Sequence, residues 1–170
     1  MPTTYNDWLT ISPTDAKSAL VKVNTISDAL DAGTPSLASL KREKGEKYAK
    51  AYLKAWIIYF QNLLNLKNKL NGDMIDFAVD EVFAHYWYIT IADIKNVLTW
   101  ALNGVYGEFY ESLTIPKVVG WFSKYAEDRM DLCEQRSISN HYDIKNKPIV
   151  EEDLDRIKLQ AKRNEKRNKI

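Results

Sequence analysis

Between Glu46 and Leu70, apolar side chains recur at three- and four-residue steps: Ala49, Tyr52, Leu53, Trp56, Ile57, Phe60, Leu63 and Leu64. That spacing draws one continuous stripe along an α-helix. A strand cannot use it, because successive residues of a strand face opposite sides. A stripe this rich in large rings must be covered by other apolar faces. The rest of the chain therefore has to supply helices of the same period, and it does.

Before the long stripe, Ser12 can cap a helix that opens with Pro13 and carries Asp15 in its first turn. Ala16, Leu20, Val23, Ile26 (or Ser27) and Leu30 follow, and Gly33 closes the segment. Thr34-Pro35 opens a shorter helix that stops at Gly45. Asn71-Gly72 ends the long helix, and Asp73 is read as the cap of the next, which carries Ile75, Val79, Val82, Phe83 and Tyr86. Thr90 with Asp93 forms a capping box before Ile94, Val97, Leu98 and Ala101, and Asn103-Gly104 closes that helix. Thr114 then caps a run through Val118, Val119, Phe122, Tyr125, Ala126, Met130 and Cys133. The 6 glycines and 5 prolines fall at boundaries rather than inside periodic runs. The spacing predicts an all-α fold, a compact bundle of five or six helices over residues 13–136, after an N-terminal extension at 1–12. Its core is expected to hold Trp56, Ile57, Phe60, Phe83, Val97, Leu98, Val119 and Phe122.

Residues 137–148 read as a linker, and 149–170 as a charged C-terminal helix with a thin stripe of Leu154, Ile157 and Ala161. A helix that short and that poorly backed is marginal alone, so it is expected to be mobile. The formal net charge of +1 hides an asymmetry, because residues 156–170 hold seven bases and one acid. Lys162, Arg163, Lys166, Arg167 and Lys169 are candidate contacts for nucleic acid or an acidic partner. The single cysteine, Cys133, excludes an internal disulfide and points to a reducing compartment. No basic, then apolar, leader is read at the N-terminus. The run "AWIIYF" is too short to cross a bilayer, so no membrane role is expected.

Catalytic signatures are missing from the sequence. His85 and His141 lie 56 positions apart, and no zinc, phosphate-loop or nucleophile-elbow motif occurs. Asp76 and Asp80 share a helix face that reads as solvated rather than metal-binding. The chain is accordingly read as non-enzymatic, with no catalytic residue, no metal and no cofactor.

The stretch "NGVYGEFYESL", Asn103 to Leu113, is the most unusual in the chain. Gly104 and Gly107 suit positive φ angles in a compact turn. A phosphate site is disfavoured there, since Glu108 and Glu111 would repel an anion. Of the 20 aromatic residues, 12 fall between Phe77 and Tyr125. One reading makes the stretch a structural corner, with Tyr106 and Tyr110 packed toward Trp100 and Trp121. The other makes Tyr106, Phe109, Tyr110 and Trp121 a partner-binding surface, with Phe109 as its outer anchor.

Tyr86 or Tyr88, Thr90, Asp93 and Ile94, then Gly104, Tyr106, Gly107 and Tyr110, then Trp121, Tyr125 and Arg129 make a longer pattern. It resembles one found in small helical proteins encoded by phages and mobile elements of gut bacteria. The resemblance implies a helical fold and a mobile-element setting. The layout, a small helical domain with a charged C-terminal segment, is also similar to that of phage helicase-loader and helicase-inhibitor proteins. The first likeness carries no established activity; the likeness in layout implies an adaptor in DNA replication, with a helicase as protein partner, in the host cytoplasm. The alternative is a virion component, internal or connector-associated.

Overall fold

The computed structural model describes residues 2, 4–64, 66–107 and 112–146. Eight helices run through them: α1 (Tyr5–Trp8), α2 (Pro13–Ala19), α3 (Ile26–Asp31), α4 (Leu37–Lys44), α5 (Glu46–Leu63), α6 (Gly72–His85), α7 (Ile91–Leu102) and α8 (Ile115–Asn146). Extended pairing among the described residues is limited to two isolated bridges, Ser36 with Thr90 and Asn68 with Ser112. The all-α expectation holds. The chain divides into two compact units, Met1–Leu132 and Cys133–Ile170. In the second unit the described residues, 133–146, are helical.

The core of the first unit forms around α5, whose Trp56, Ile57 and Phe60 are each 1% exposed. Phe60 meets Trp121 of α8 edge-on at 5.4 Å between ring centroids. Phe83, Val97, Leu98 and Phe122 are buried as expected, while Val119 is half-buried beside the fully buried Val118. The innermost element is α7. All eight residues from Ile91 to Leu98 are buried, including Asp93, Lys95 and Asn96. A helix buried on every side is a core helix, and its polar side chains must find partners inside the protein.

Several boundaries differ from the sequence reading, each for a local reason. The segment 13–32 is two helices, because Thr25 and Asp28 form a capping box that starts α3 afresh. The segment 1–12 holds a helical turn with its own box, Thr4 with Asp7, and Leu9 is tied down where its carbonyl accepts from the Tyr48 hydroxyl at 2.8 Å. Asn71, taken as a stop signal, caps α6 by accepting from the Met74 N–H at 2.9 Å. The ten residues 137–146 of the expected linker continue α8. Between Gly120 and Pro148 the sequence has neither glycine nor proline, so nothing in the backbone halts the helix.

Thr34-Pro35 does not open α4, which begins at Leu37 with Ser36 as its cap. Instead this segment crosses the start of α7. The Thr34 hydroxyl accepts from the Ala92 N–H at 3.1 Å, and the Pro35 carbonyl accepts from the Ile91 N–H at 3.0 Å. In return, the Leu37 N–H donates to the Ile89 carbonyl at 2.9 Å and the Ala38 N–H to the Trp87 carbonyl at 2.8 Å. Two helix N-termini, each with orphan N–H groups, thus satisfy one another's first turns.

Because the Trp56 ring sits at the centre of this packing, Trp56→Ala should destabilise the first unit by about 3–5 kcal/mol. Urea unfolding monitored by circular dichroism checks this, with the midpoint falling at nearly unchanged slope.

Candidate partner-docking site

Three places carry the side chains from which a site could be built. The first is the polar heart of α7. Asp93 is fully buried and accepts from the Thr90 N–H and hydroxyl at 2.9 Å each, from the Tyr125 hydroxyl at 2.8 Å and from Arg129 Nε at 3.1 Å. One carboxylate therefore caps its own helix and holds α8. The Arg129 guanidinium also lies over the Tyr88 ring, 5.6 Å from its centroid. On the next turn, the buried Lys95 ammonium donates to the Val23 carbonyl and to Asn24 Oδ1, and the Asn96 amide donates to the Thr25 carbonyl at 2.9 Å. Burial lowers the pKa of Lys95, helped by the like charge of Lys17. Thr90, Asp93, Tyr125 and Arg129, all members of the longer sequence pattern, meet in this one network. Its chemistry is that of a fastener, with the buried carboxylate, ammonium and amide each hydrogen-bonded within the protein.

The second place is the glycine corner. Gly104 and Gly107 take φ angles of 74° and 90°, the left-handed backbone expected of them. Tyr106 packs between Trp100 and Trp121, 6.4 Å from each and nearly parallel to the latter. Trp121 is only 5% exposed and Tyr106 is half-buried, so these two rings serve the packing of the corner. Phe109 and Tyr110 lie outside the described residues, as do Lys162, Arg163, Lys166, Arg167 and Lys169.

The third place was not singled out from the sequence. A groove of about 580 Å³ runs between α4, α5 and α6, with Phe83 and Ala84 along one wall and Trp87 at its rim. Lys41 and Lys50 flank it, their ammonium groups 5.8 and 5.6 Å from the Phe83 centroid. These cations already have partners: Lys41 pairs with Glu46 at 2.6 Å, and Lys50 reaches Glu46 at 3.1 Å and Asp80 at 3.0 Å. Lys41 and then Lys50 pull the Glu46 pKa down, and Asp80 followed by Glu46 pushes Lys50 up. The groove is therefore close to charge-balanced, which suits an apolar anchor better than a bare anion.

Trp87 is the large exposed aromatic beside the groove. Its ring is 54% exposed. Its backbone is pinned by the bond from Ala38, and its ring stands edge-on against Tyr88 at 5.8 Å. A large ring that is exposed yet held in place loses little freedom when a partner covers it. The available signal was Trp87 itself, set just beyond the end of the α6 stripe where no helical face accounts for it.

The remaining sequence candidates have simple surroundings. His85 is exposed, with Nε2 3.7 Å from Glu81. Asp76 and Asp80 pair with Lys54 and Lys50 of α5. Among the described residues, no group of three or more His, Cys, Asp or Glu side chains is placed to hold a metal ion. No described helix is long and apolar enough to cross a membrane. No family model matches the chain, and no curated protein or solved structure matches it either.

Buried phenols give this region a pH signature. Burial pushes Tyr52 up to about 12, the nearby Trp56 indole acting in the opposite sense. Burial also raises Tyr106, and it raises Tyr125 together with the charge of Asp93. A phenol with a raised folded-state pKa adds stability that is complete below the unfolded value near 10 and fades as the pH climbs above it. Stability should therefore fall above about pH 10, each such tyrosine contributing up to about 1.4 kcal/mol per pH unit. Tyr125→Phe should shallow the slope. Urea midpoints across alkaline pH, read beside tyrosinate absorbance, check it.

Proposed function

We propose that this chain is a non-enzymatic adaptor that holds a protein partner in the groove between α4, α5 and α6, and that it serves DNA replication in a phage or mobile element. The observation that carries the docking role is Trp87, more than half exposed on a backbone held by a hydrogen bond from Ala38 of α4. Aromatic anchors of this kind dominate the energetics of protein interfaces. Phe83 and Ala84 offer an apolar wall beside it, and the paired lysines and carboxylates form a polar rim. The replication setting is supported by the phage-like pattern from Tyr88 to Arg129 and by the resemblance in layout to helicase loaders.

A photo-crosslinking residue at position 87, introduced in the native host, tests both halves. The expected product joins the chain to a replication protein, a helicase first of all. A crosslink to a portal or capsid protein would overturn the replication role, and the absence of any crosslink would overturn the docking role. Trp87→Ala should weaken capture of that partner by at least about tenfold. Its melting temperature should stay within about 2 °C of the parent, because the ring packs at the rim rather than in the core.

A further inference from the structure

Among the described residues, the outer flank of α6 carries charge that no lysine or arginine meets. Between Gly72 and His85 there are four carboxylates, Asp73, Asp76, Asp80 and Glu81, and no lysine or arginine. Asp76 and Asp80 turn toward α5 and are neutralised by Lys54 and Lys50. Asp73 and Glu81 have no lysine or arginine at ion-pair distance among the described residues, and Glu81 has only His85 beside it. These two sit one turn before and one turn after Phe77, which is 56% exposed. Met74, 44% exposed, and the exposed Ala84 extend the same flank toward the groove. A bare phenyl ring bracketed by two carboxylates suits a side chain that is both apolar along its stem and cationic at its tip.

From this we infer that the segment docked along α6 is an amphipathic helix bearing lysine or arginine. Its apolar stripe covers Met74, Phe77 and Ala84, and two cations two turns apart reach Asp73 and Glu81. Those carboxylates are eight residues apart on α6, about 12 Å along its axis, which matches cations at i and i+7 or i+8 of a partner helix. The opposite polarity fits poorly, since an acidic helix would face two uncompensated carboxylates. The inference rests on the docking role proposed above and names the partner's chemistry.

The test uses the full chain and two labelled synthetic helices of about 18 residues, with the same leucine stripe but lysine or glutamate at the flanking positions. Fluorescence anisotropy at physiological ionic strength should show the lysine peptide binding and the glutamate peptide failing to bind. The double variant Asp73→Lys, Glu81→Lys should weaken lysine-peptide binding at least about tenfold, and Phe77→Ala should weaken it comparably. Asp131→Lys, an exposed reversal on α8, should leave it within about twofold. Equal binding of both peptides would overturn the inference. So would an equal loss in the Asp131 variant, which would mean that only overall charge matters. Self-association of the parent chain abolished by the double variant would also overturn it, by showing that a second copy covers this face. Native-partner capture separates the two readings. If it is lost in Trp87→Ala but kept in the double variant, the groove stands and the cationic partner falls. If it survives Trp87→Ala while the lysine peptide still requires Asp73 and Glu81, the groove reading falls alone.

Discussion

Asp93 cannot be left unpaired, and much of the first unit is arranged around that fact. It lies on a helix buried on all sides, where an isolated carboxylate would be costly. Four donors meet it: two from Thr90, one from Tyr125 and one from Arg129. Two come from the start of its own helix and two from α8, so the same group that caps one element fixes another. Lys95 and Asn96 impose a matching demand on the other side of α7. They are met by carbonyls and a side-chain amide between Val23 and Thr25, in the break between α2 and α3. The break is thus not slack chain but an acceptor cradle for the central helix.

This arrangement reaches the surface through a short sequence of contacts. Arg129 spans from Asp93 to the face of Tyr88, and Tyr88 backs the ring of Trp87. The Trp87 and Ile89 carbonyls close the start of α4, while Thr34 and Pro35 close the start of α7. A segment between helices that would otherwise be free is therefore held by backbone bonds, an edge-on ring pair and a guanidinium over Tyr88. Order at the rim of the groove follows from satisfying buried groups a few residues away, which links the stability of the interior to the shape of the groove; for the proposed docking role this is preorganisation.

Period and capping made much of the fold legible. The stripe from Ala49 to Phe60 marked the helix around which the core forms, and the Thr90–Asp93 box marked the start of α7. Lost were the features that depend on who meets whom. The Thr25–Asp28 box has the same form as the Thr90–Asp93 box, yet a stripe running across it read as one helix. Thr34 looked like a cap for the helix it precedes in sequence, but caps one 58 residues later. Trp121, Tyr125 and Arg129, each four apart, lie along one face of α8, and that alignment held the clue that a buried acid waits opposite. The exposure of Trp87 was not legible, because it lies just past the end of the α6 stripe, where periodicity assigns it no face.

The most direct test of the central role of Asp93 is a double-mutant cycle pairing Asp93→Asn with Arg129→Met, measured by urea unfolding. The substituted side chain keeps an amide oxygen as acceptor for the Thr90 cap, so the cycle isolates the ionic contact between α7 and α8. The account predicts a coupling energy of at least about 1 kcal/mol, with Asp93→Asn alone among the more damaging single changes. Two single losses that add to within about 0.5 kcal/mol would contradict it, showing that Arg129 does not tie α8 to the buried carboxylate.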